Sequence, residues 1–255
     1  MIIAIDGPSG SGKSTLGRML ARELNLLYLD TGSMYRAVAL AVLEAGIDPR
    51  DSEAVVALAT RIDIDLEGDP DSLKVLLDGR DVTEQIRSER VTAMSSVVST
   101  IPGVRRAMVA RQREMGARGA VLNGRDIGTV VFPNAALKFF LTATPDERAE
   151  RRFKEERLTN TDVSFQQTMA EMTERDRRDS TRADSPLKAA DDAIVIDSSG
   201  LSIEEVFAEM MKHVHRHHCG TREDPRRRAA WRERVHRNRR AHRDAGHKPR
   251  RFDRR

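Results

Sequence analysis

An α/β fold built on a parallel sheet with helices on both faces is the fold class this sequence predicts. Two observations predict it. Short apolar runs alternate with helix-period stretches along most of the chain, and the first run feeds directly into a glycine-rich turn that opens a helix. A third observation qualifies it, because near residue 61 the rhythm breaks into a small antiparallel segment.

Ile2 to Ile5 reads as a buried strand ending in Asp6. The helix after it runs from about Lys13 to Leu24, with Leu16, Leu20 and Leu24 on one face. Leu26 to Leu29 is a second strand, stopped by the polar turn Asp30-Thr31-Gly32-Ser33 before a helix from Met34 to Leu43 that Gly46 closes. Arg61 to Leu66 and Ser72 to Leu77 read as antiparallel strands, and Asp78-Gly79 is a hairpin dipeptide; helical segments continue to about Gly116. Ala120 to Leu122, Leu137 to Leu141 and Ala193 to Ile196 are three more strands, alternating with helices near 145–157, 164–178 and 202–214.

Composition narrows the class of protein. The 255 residues are 39% hydrophobic and 33% charged, with one Cys, which excludes a disulfide scaffold. No run of about 18 apolar residues and no leader pattern is present, so a cytoplasmic protein without membrane partners is expected. The net charge of +4 is an average of two unlike parts. From Arg216 onward 16 Lys and Arg face 5 Asp and Glu, a net of +11, which leaves −7 for residues 1–215. Too poor in apolar residues to build a core, residues 215–255 are expected to be a disordered basic tail.

Gly7-Pro8-Ser9-Gly10-Ser11-Gly12-Lys13-Ser14 matches G-x-x-x-x-G-K-[ST] at every fixed position, between an expected strand and an expected helix. Glycines let successive backbone N–H groups close around phosphate oxygens, and the helix adds its positive end. Lys13 is expected to reach the β and γ phosphates of a nucleotide, and the Ser14 hydroxyl to ligate Mg²⁺. A P-loop NTPase-type sheet is thus the specific form of the fold. A switch GTPase is not, because none of the seven lysines follows an Asn.

Phosphoryl transfer to a second anion requires cations at the strand ends, and Arg36 and Arg125 follow the second strand and the strand Val121-Leu122. Arg148, Arg151 and Arg152 share one helical turn, followed by polar residues 159–162 suited to a mobile flap. A solvated, salt-bridged helix is the competing reading, given the interleaved Glu147, Glu150, Glu155 and Glu156.

Four blocks decide the weighing: Ile5 to Thr15, Tyr28 to Arg36, Asn123 to Pro133 and Glu174 to Arg182. In this order they resemble bacterial cytidylate kinase over about residues 1–214. The resemblance implies a core of 1–60 and 119–214, an insert of about 61–118 that binds the nucleoside monophosphate, and a lid of about 148–182. It implies ATP-dependent phosphorylation of CMP and dCMP in pyrimidine metabolism, with Mg²⁺ accompanying ATP. Gly7 to Thr15 with Arg148 and Arg152 would hold ATP. Thr31, Tyr35 and Arg36 would lie along the monophosphate, with Arg36 and Arg125 on the acceptor phosphate. Ser96, Arg105 and Asp126 match positions that read cytosine, while Arg175, Asp179 and Arg182 match positions near the ribose and phosphates. Lys13, Arg125, Asp179 and Arg182 form the expected catalytic set.

The tail offers rival chemistry. All seven histidines lie at 213 and beyond, and His213 to Cys219 could hold a soft metal. The arginine-rich stretch around Trp231 could contact nucleic acid, which would make the chain an RNA- or DNA-binding ATPase. Neither is favoured over an incidental appendage on a kinase. A monomer is the default, since no exposed apolar stripe stands out.

Overall fold

The computed structural model describes residues 1–158 and 162–220. Its main sheet has five strands: β1 (Ile2–Asp6), β2 (Leu27–Asp30), β6 (Ala120–Gly124), β7 (Leu137–Thr142) and β8 (Ile194–Asp197). They lie side by side in the order β2, β6, β1, β7, β8, every neighbouring pair parallel. Three strands numbered between these, β3 (Ile64–Glu67), β4 (Lys74–Leu77) and β5 (Arg80–Asp81), form a separate antiparallel sheet.

Alternation along the strands divides the core in two. Ala4, Leu29, Ala120 and Leu122 face one side, which is covered by α2 (Thr31–Glu44), by the helices of the insert and by the small sheet. Ile3, Ile5, Val121, Phe139 and Leu141 face the other, covered by α1 (Lys13–Leu24) and α8 (Ile203–Gly220). Leu16 and Leu20 of α1 are fully buried there. The helix ends at Asn25, whose left-handed backbone sends its N–H back to the carbonyls of Ala21 and Arg22.

The chain leaves β1 through α1 to β2, two places away, and β6 fills the gap; after β6 it crosses to the opposite side of β1. The connections from β1 and β6 therefore run in opposite directions. The crevice outside their carboxyl ends is the position where open α/β sheets bind ligands.

Three elements differ from the sequence reading. The expected turn Thr31-Gly32-Ser33 is the first turn of α2, reached from β2 without a loop. The Thr31 hydroxyl donates to the Asn123 carbonyl at 2.7 Å and the Ser33 hydroxyl to the Asp30 carbonyl at 2.7 Å, so the polar residues anchor a helix start. A helix α3 (Ser52–Arg61) occupies a stretch to which the sequence reading assigns no element, and the antiparallel strand begins at Ile64 rather than Arg61. The Asp51 carboxylate accepts from the Ala54 N–H at 3.0 Å, and Val55, Leu58 and Ala59 are buried at helical spacing. Finally, α8 continues past the expected boundary at 214 to Gly220, with Val214 fully buried. Residues 221–255, and with them Trp231 and the basic run, lie outside the described residues, as do the side chains of His218 and Cys219.

The insert continues with α4 (Glu89–Val98) and α5 (Pro102–Gly116), and its hairpin turn has positive φ at both Asp78 (49°) and Gly79 (78°). Between β7 and β8 come α6 (Pro145–Arg157) and α7 (Phe165–Thr181), which pack on each other. Helices α3 and α5 meet closely because α5 carries Gly103 at the contact. A Cβ there would stand 2.4 Å from Cγ2 of Val56. Gly103→Ala should therefore destabilise the protein by about 1–3 kcal/mol through overpacking, measured as a lower thermal midpoint. An unchanged midpoint would mean that the two helices can separate without cost.

Candidate active site

The turn after β1 is folded for close approach. Gly7 has φ 147° and Gly10 φ 73°; a Cβ would stand 2.1 Å from the Leu141 carbonyl oxygen at the first and 2.6 Å from that of Arg148 at the second. Strand β7 and helix α6 thus wall the loop, and only glycine fits between them. The Ser11 hydroxyl donates to the Pro8 carbonyl at 3.0 Å. Lys13 Nζ donates to the same carbonyl and to Ser11 Oγ. Burial pushes its pKa well below the lysine range, and the charges of Arg125 and Arg175 add to the effect. Thr15 is exposed on the first turn of α1.

Ser14 is tied to the neighbouring strand: its Oγ accepts from Asn123 Nδ2 at 3.0 Å. Asn123 is buried, and its Oδ1 has no hydrogen-bond partner. On the other side of the crevice Asp6 accepts from the N–H groups of Ile127 (2.8 Å) and Gly128 (2.7 Å), which begin the π-helical turn Ile127–Val131 after β6. Burial pushes the Asp6 pKa up to about 6, against those two bonds, and the Asp126 charge adds to the rise.

A cluster of cations faces the loop. Arg125 Nε donates to Asp179 at 2.9 Å, and Arg182 approaches the same carboxylate at 3.4 Å. Burial raises the Asp179 pKa, but Arg125 and Arg175 outweigh it and hold the group below its usual range. Arg175 is pushed down to about 10 by burial and by the like charges of Arg125, Arg36 and Arg152. Arg36 leans on Asp30 at 3.5 Å.

Beside this cluster is a buried ion pair between Arg105, on α5, and Asp126. The Arg105 guanidinium also donates to the Ser99 carbonyl at 3.2 Å and lies over the Tyr35 ring at 5.5 Å, while its Nε has no partner. Burial pushes the Tyr35 phenol up to about 12, partly offset by Arg105. Arg182 interacts electrostatically with Arg105, Asp126 and Tyr35, so it joins the two halves of the site.

The structure thus brings together Lys13, Tyr35, Arg36, Arg105, Arg125, Asp126, Arg175, Asp179 and Arg182, with Thr31 at the base of the crevice. Three expected residues are otherwise engaged. Ser96 accepts from Arg178 of α7 at 3.1 Å and makes no bond to Arg105 or Asp126. Arg148 donates to the Ser9 carbonyl (3.0 Å) and to Asp176 (2.6 Å), bracing the loop from outside. Arg152 pairs with Glu156 at 2.7 Å. Arg151 bonds the Ser198 hydroxyl and carbonyl, a link to the segment after β8. Residues 159–161 of the expected flap lie outside the described residues.

Sequence reasoning assigned no role to Asp6, Asn123, Asp176 or Arg178. For the first two a signal existed, since each is a polar residue closing an apolar strand beside the loop; for the others only the folded helices reveal the partner. No described residues form a cluster of three or more metal-binding side chains, and no described helix is long and apolar enough to cross a membrane.

A glycine loop at a helix start, facing a group of guanidinium ions across a parallel-sheet crevice, defines a P-loop protein built for phosphate-bearing ligands. A family model described as cytidylate kinase matches residues 3–216. Cytidylate kinase of Solibacter usitatus (strain Ellin6076) is 51% identical over 215 residues, covering 83% of this chain and 91% of that protein. Cytidylate kinase of Desulforamulus reducens is 54% identical over 206 residues, covering 80% and 92%. The chain belongs to the cytidylate kinase family.

The Asp6 pKa carries a stability consequence. Raised in the folded state from 3.8 to about 6, Asp6 contributes stability that is complete below pH 4 and is lost as pH rises through 6. Relative to Asp6→Asn, the wild type should lose on the order of 3 kcal/mol of unfolding free energy between pH 4 and 7, measured by denaturant titration. A difference that stays constant over this range would show that Asp6 titrates like an ordinary carboxylate.

Proposed function

We propose that the chain transfers the terminal phosphoryl group of ATP to the phosphate of CMP or dCMP, giving ADP and CDP or dCDP. Family membership supports the reaction. The observation that carries its location is the set of cations formed by Lys13, Arg36, Arg125, Arg175 and Arg182, with Arg125 and Arg182 sharing Asp179; burial, and then the like charges of this set, lower the pKa of Lys13 and Arg175. Such a cluster is relieved by bound polyanions, and a donor triphosphate beside an acceptor monophosphate supplies them.

In the proposed mechanism the P-loop N–H groups and Lys13 hold the donor phosphates, while Arg36 and Arg125 hold the acceptor phosphate in line. A nonbridging oxygen of the CMP phosphate forms the new bond to the γ-phosphorus as the bond to the β,γ-bridging oxygen breaks, and ADP leaves with that electron pair. The acceptor is already anionic, so no general base is assigned. Arg175, Asp179 and Arg182 keep the two phosphate positions and the ribose in register.

Base reading is assigned to Arg105 and Asp126 with Tyr35 beneath them. A carboxylate accepts from the cytosine 4-amino group, and the free Arg105 Nε offers a donor to N3 or O2. A uracil would set a carbonyl against the carboxylate, costing on the order of 1–3 kcal/mol. Ser96 serves this reading as a contact that also engages Arg178.

Mg²⁺ accompanies the nucleotide, bringing Lewis-acid charge neutralisation of the phosphates. The residues present fit it. The Ser14 hydroxyl accepts from the side-chain amide of buried Asn123, whose amide oxygen has no partner, and both are hard oxygen donors of the kind Mg²⁺ accepts directly or through water.

ADP release should depend on CMP, and a comparable rate without it would contradict the assignment. Lys13→Ala should abolish turnover while leaving the circular dichroism spectrum intact; near-normal turnover would remove the P-loop from the mechanism. Asp126→Asn should move preference from CMP toward UMP, in a comparison of kcat/KM for the two, and unchanged selectivity would take Asp126 out of base reading.

A further inference from the structure

In P-loop phosphotransfer proteins the metal is generally held by the loop Ser or Thr and by a carboxylate. In this chain the residue that approaches the loop hydroxyl is an amide. Asn123 is the penultimate residue of β6, pairs in register with Ile5 of β1, and donates an Nδ2 proton to Ser14 Oγ at 3.0 Å. Its Oδ1 is buried without a partner, a cost a protein retains where a ligand completes the bonding. Its 4% exposure rules out bulk water as the missing partner.

The neighbouring carboxylates are already engaged. Both Asp6 oxygens accept backbone N–H groups, Asp126 is paired with Arg105, Asp30 with Arg36, and Asp179 with Arg125 and Arg182. Among the described residues, these carboxylates leave no uncommitted negative charge for Ser14.

Resting on the reading of the loop as an ATP site, we propose that Asn123 is the second protein group on the cation that travels with the nucleotide. Its neutral amide oxygen replaces a carboxylate, so that the cation binds only together with the nucleotide phosphates. A hydroxyl and an amide oxygen orient the cation's water shell but supply no charge, and the phosphates supply it all. The arrangement keeps an anionic side chain away from the triphosphate and leaves the loop without affinity for free metal. Asn123 is a positioning residue in this scheme.

The test uses the full chain with Mn²⁺ in place of Mg²⁺, free Mn²⁺ being counted by its electron paramagnetic resonance signal. Wild type should retain Mn²⁺ only when ADP is present. Asn123→Leu, close in size but lacking the oxygen, should weaken Mn²⁺ binding to the ADP complex on the order of tenfold while ADP affinity in EDTA is unchanged. Asn123→Asp should tighten Mn²⁺ by a similar factor and retain it without nucleotide. Where the leucine variant does not fold, Asn123→Ala carries the same expectation. Wild-type Mn²⁺ affinity in the Leu or Ala variant, or no gain in the Asp variant, overturns the proposal while leaving the ATP site standing. Failure of ADP to bind the wild type even with Mn²⁺ overturns the ATP site itself, and the proposal with it.

Discussion

Parallel, in-register pairing of β1 with β6 is the constraint from which the rest of the crevice follows. It sets Ile5 against Asn123 and Asp6 against Gly124, so the start of the phosphate loop and the start of the Arg125-Asp126 turn leave the sheet at the same height. Three hydrogen bonds then close across that line, Asn123 to Ser14 and the Ile127 and Gly128 N–H groups to Asp6, and a fourth joins Thr31, after β2, to the Asn123 carbonyl. A slip of one residue would exchange the faces that β6 presents relative to β1, carry these groups away from their partners and break those three bonds across β1 and β6. The loop glycines matter for the same reason. They admit the backbones of β7 and α6 close enough to wall the site, which no side chain would allow.

Charge is distributed to fit that frame. The body of the chain is net acidic, yet the crevice concentrates arginines from four segments: α2, the turn after β6, α7 and the residue that follows α7. Three of them are held by bonds that leave part of the guanidinium for a ligand. Arg36 is anchored at its far end to Asp30, Arg125 and Arg182 share Asp179, and Arg36 Nε and one Arg182 nitrogen remain buried without partners. Fixed donors of this kind need no rearrangement when phosphate charge shifts during transfer, which is where such a site gains over water.

The frame and the loop were legible in the sequence because both are local. A strand, a glycine turn and a helix in succession carry their own periods and spacings, and the Asp78-Gly79 hairpin is written in two residues. What escaped was set by partners far along the chain. Thr31 reads as a turn residue by composition, and only its bond to a carbonyl 92 residues away makes it the start of a helix. Arg148, Arg151 and Arg152 share one helical turn, but one braces the loop, one ties the segment after β8 and one pairs within its own helix. Spacing says which residues are neighbours on a helix; it does not say what each faces.

The residues proposed for cytosine reading and for phosphate handling come from different elements, and side-chain bonds connect those elements. Arg105 comes from the insert, whereas Asp126 comes from the turn after β6, so their buried pair ties the insert to the sheet at the place proposed for base reading. Arg178 makes the matching link from α7 to Ser96 on α4. Both links involve groups assigned to the base. A nucleobase that engages them correctly acts on the insert and on α7 at once, so recognition of the acceptor and enclosure of the transfer site are driven by the same bonds. Water would be excluded from the donor phosphates only when that base is in place.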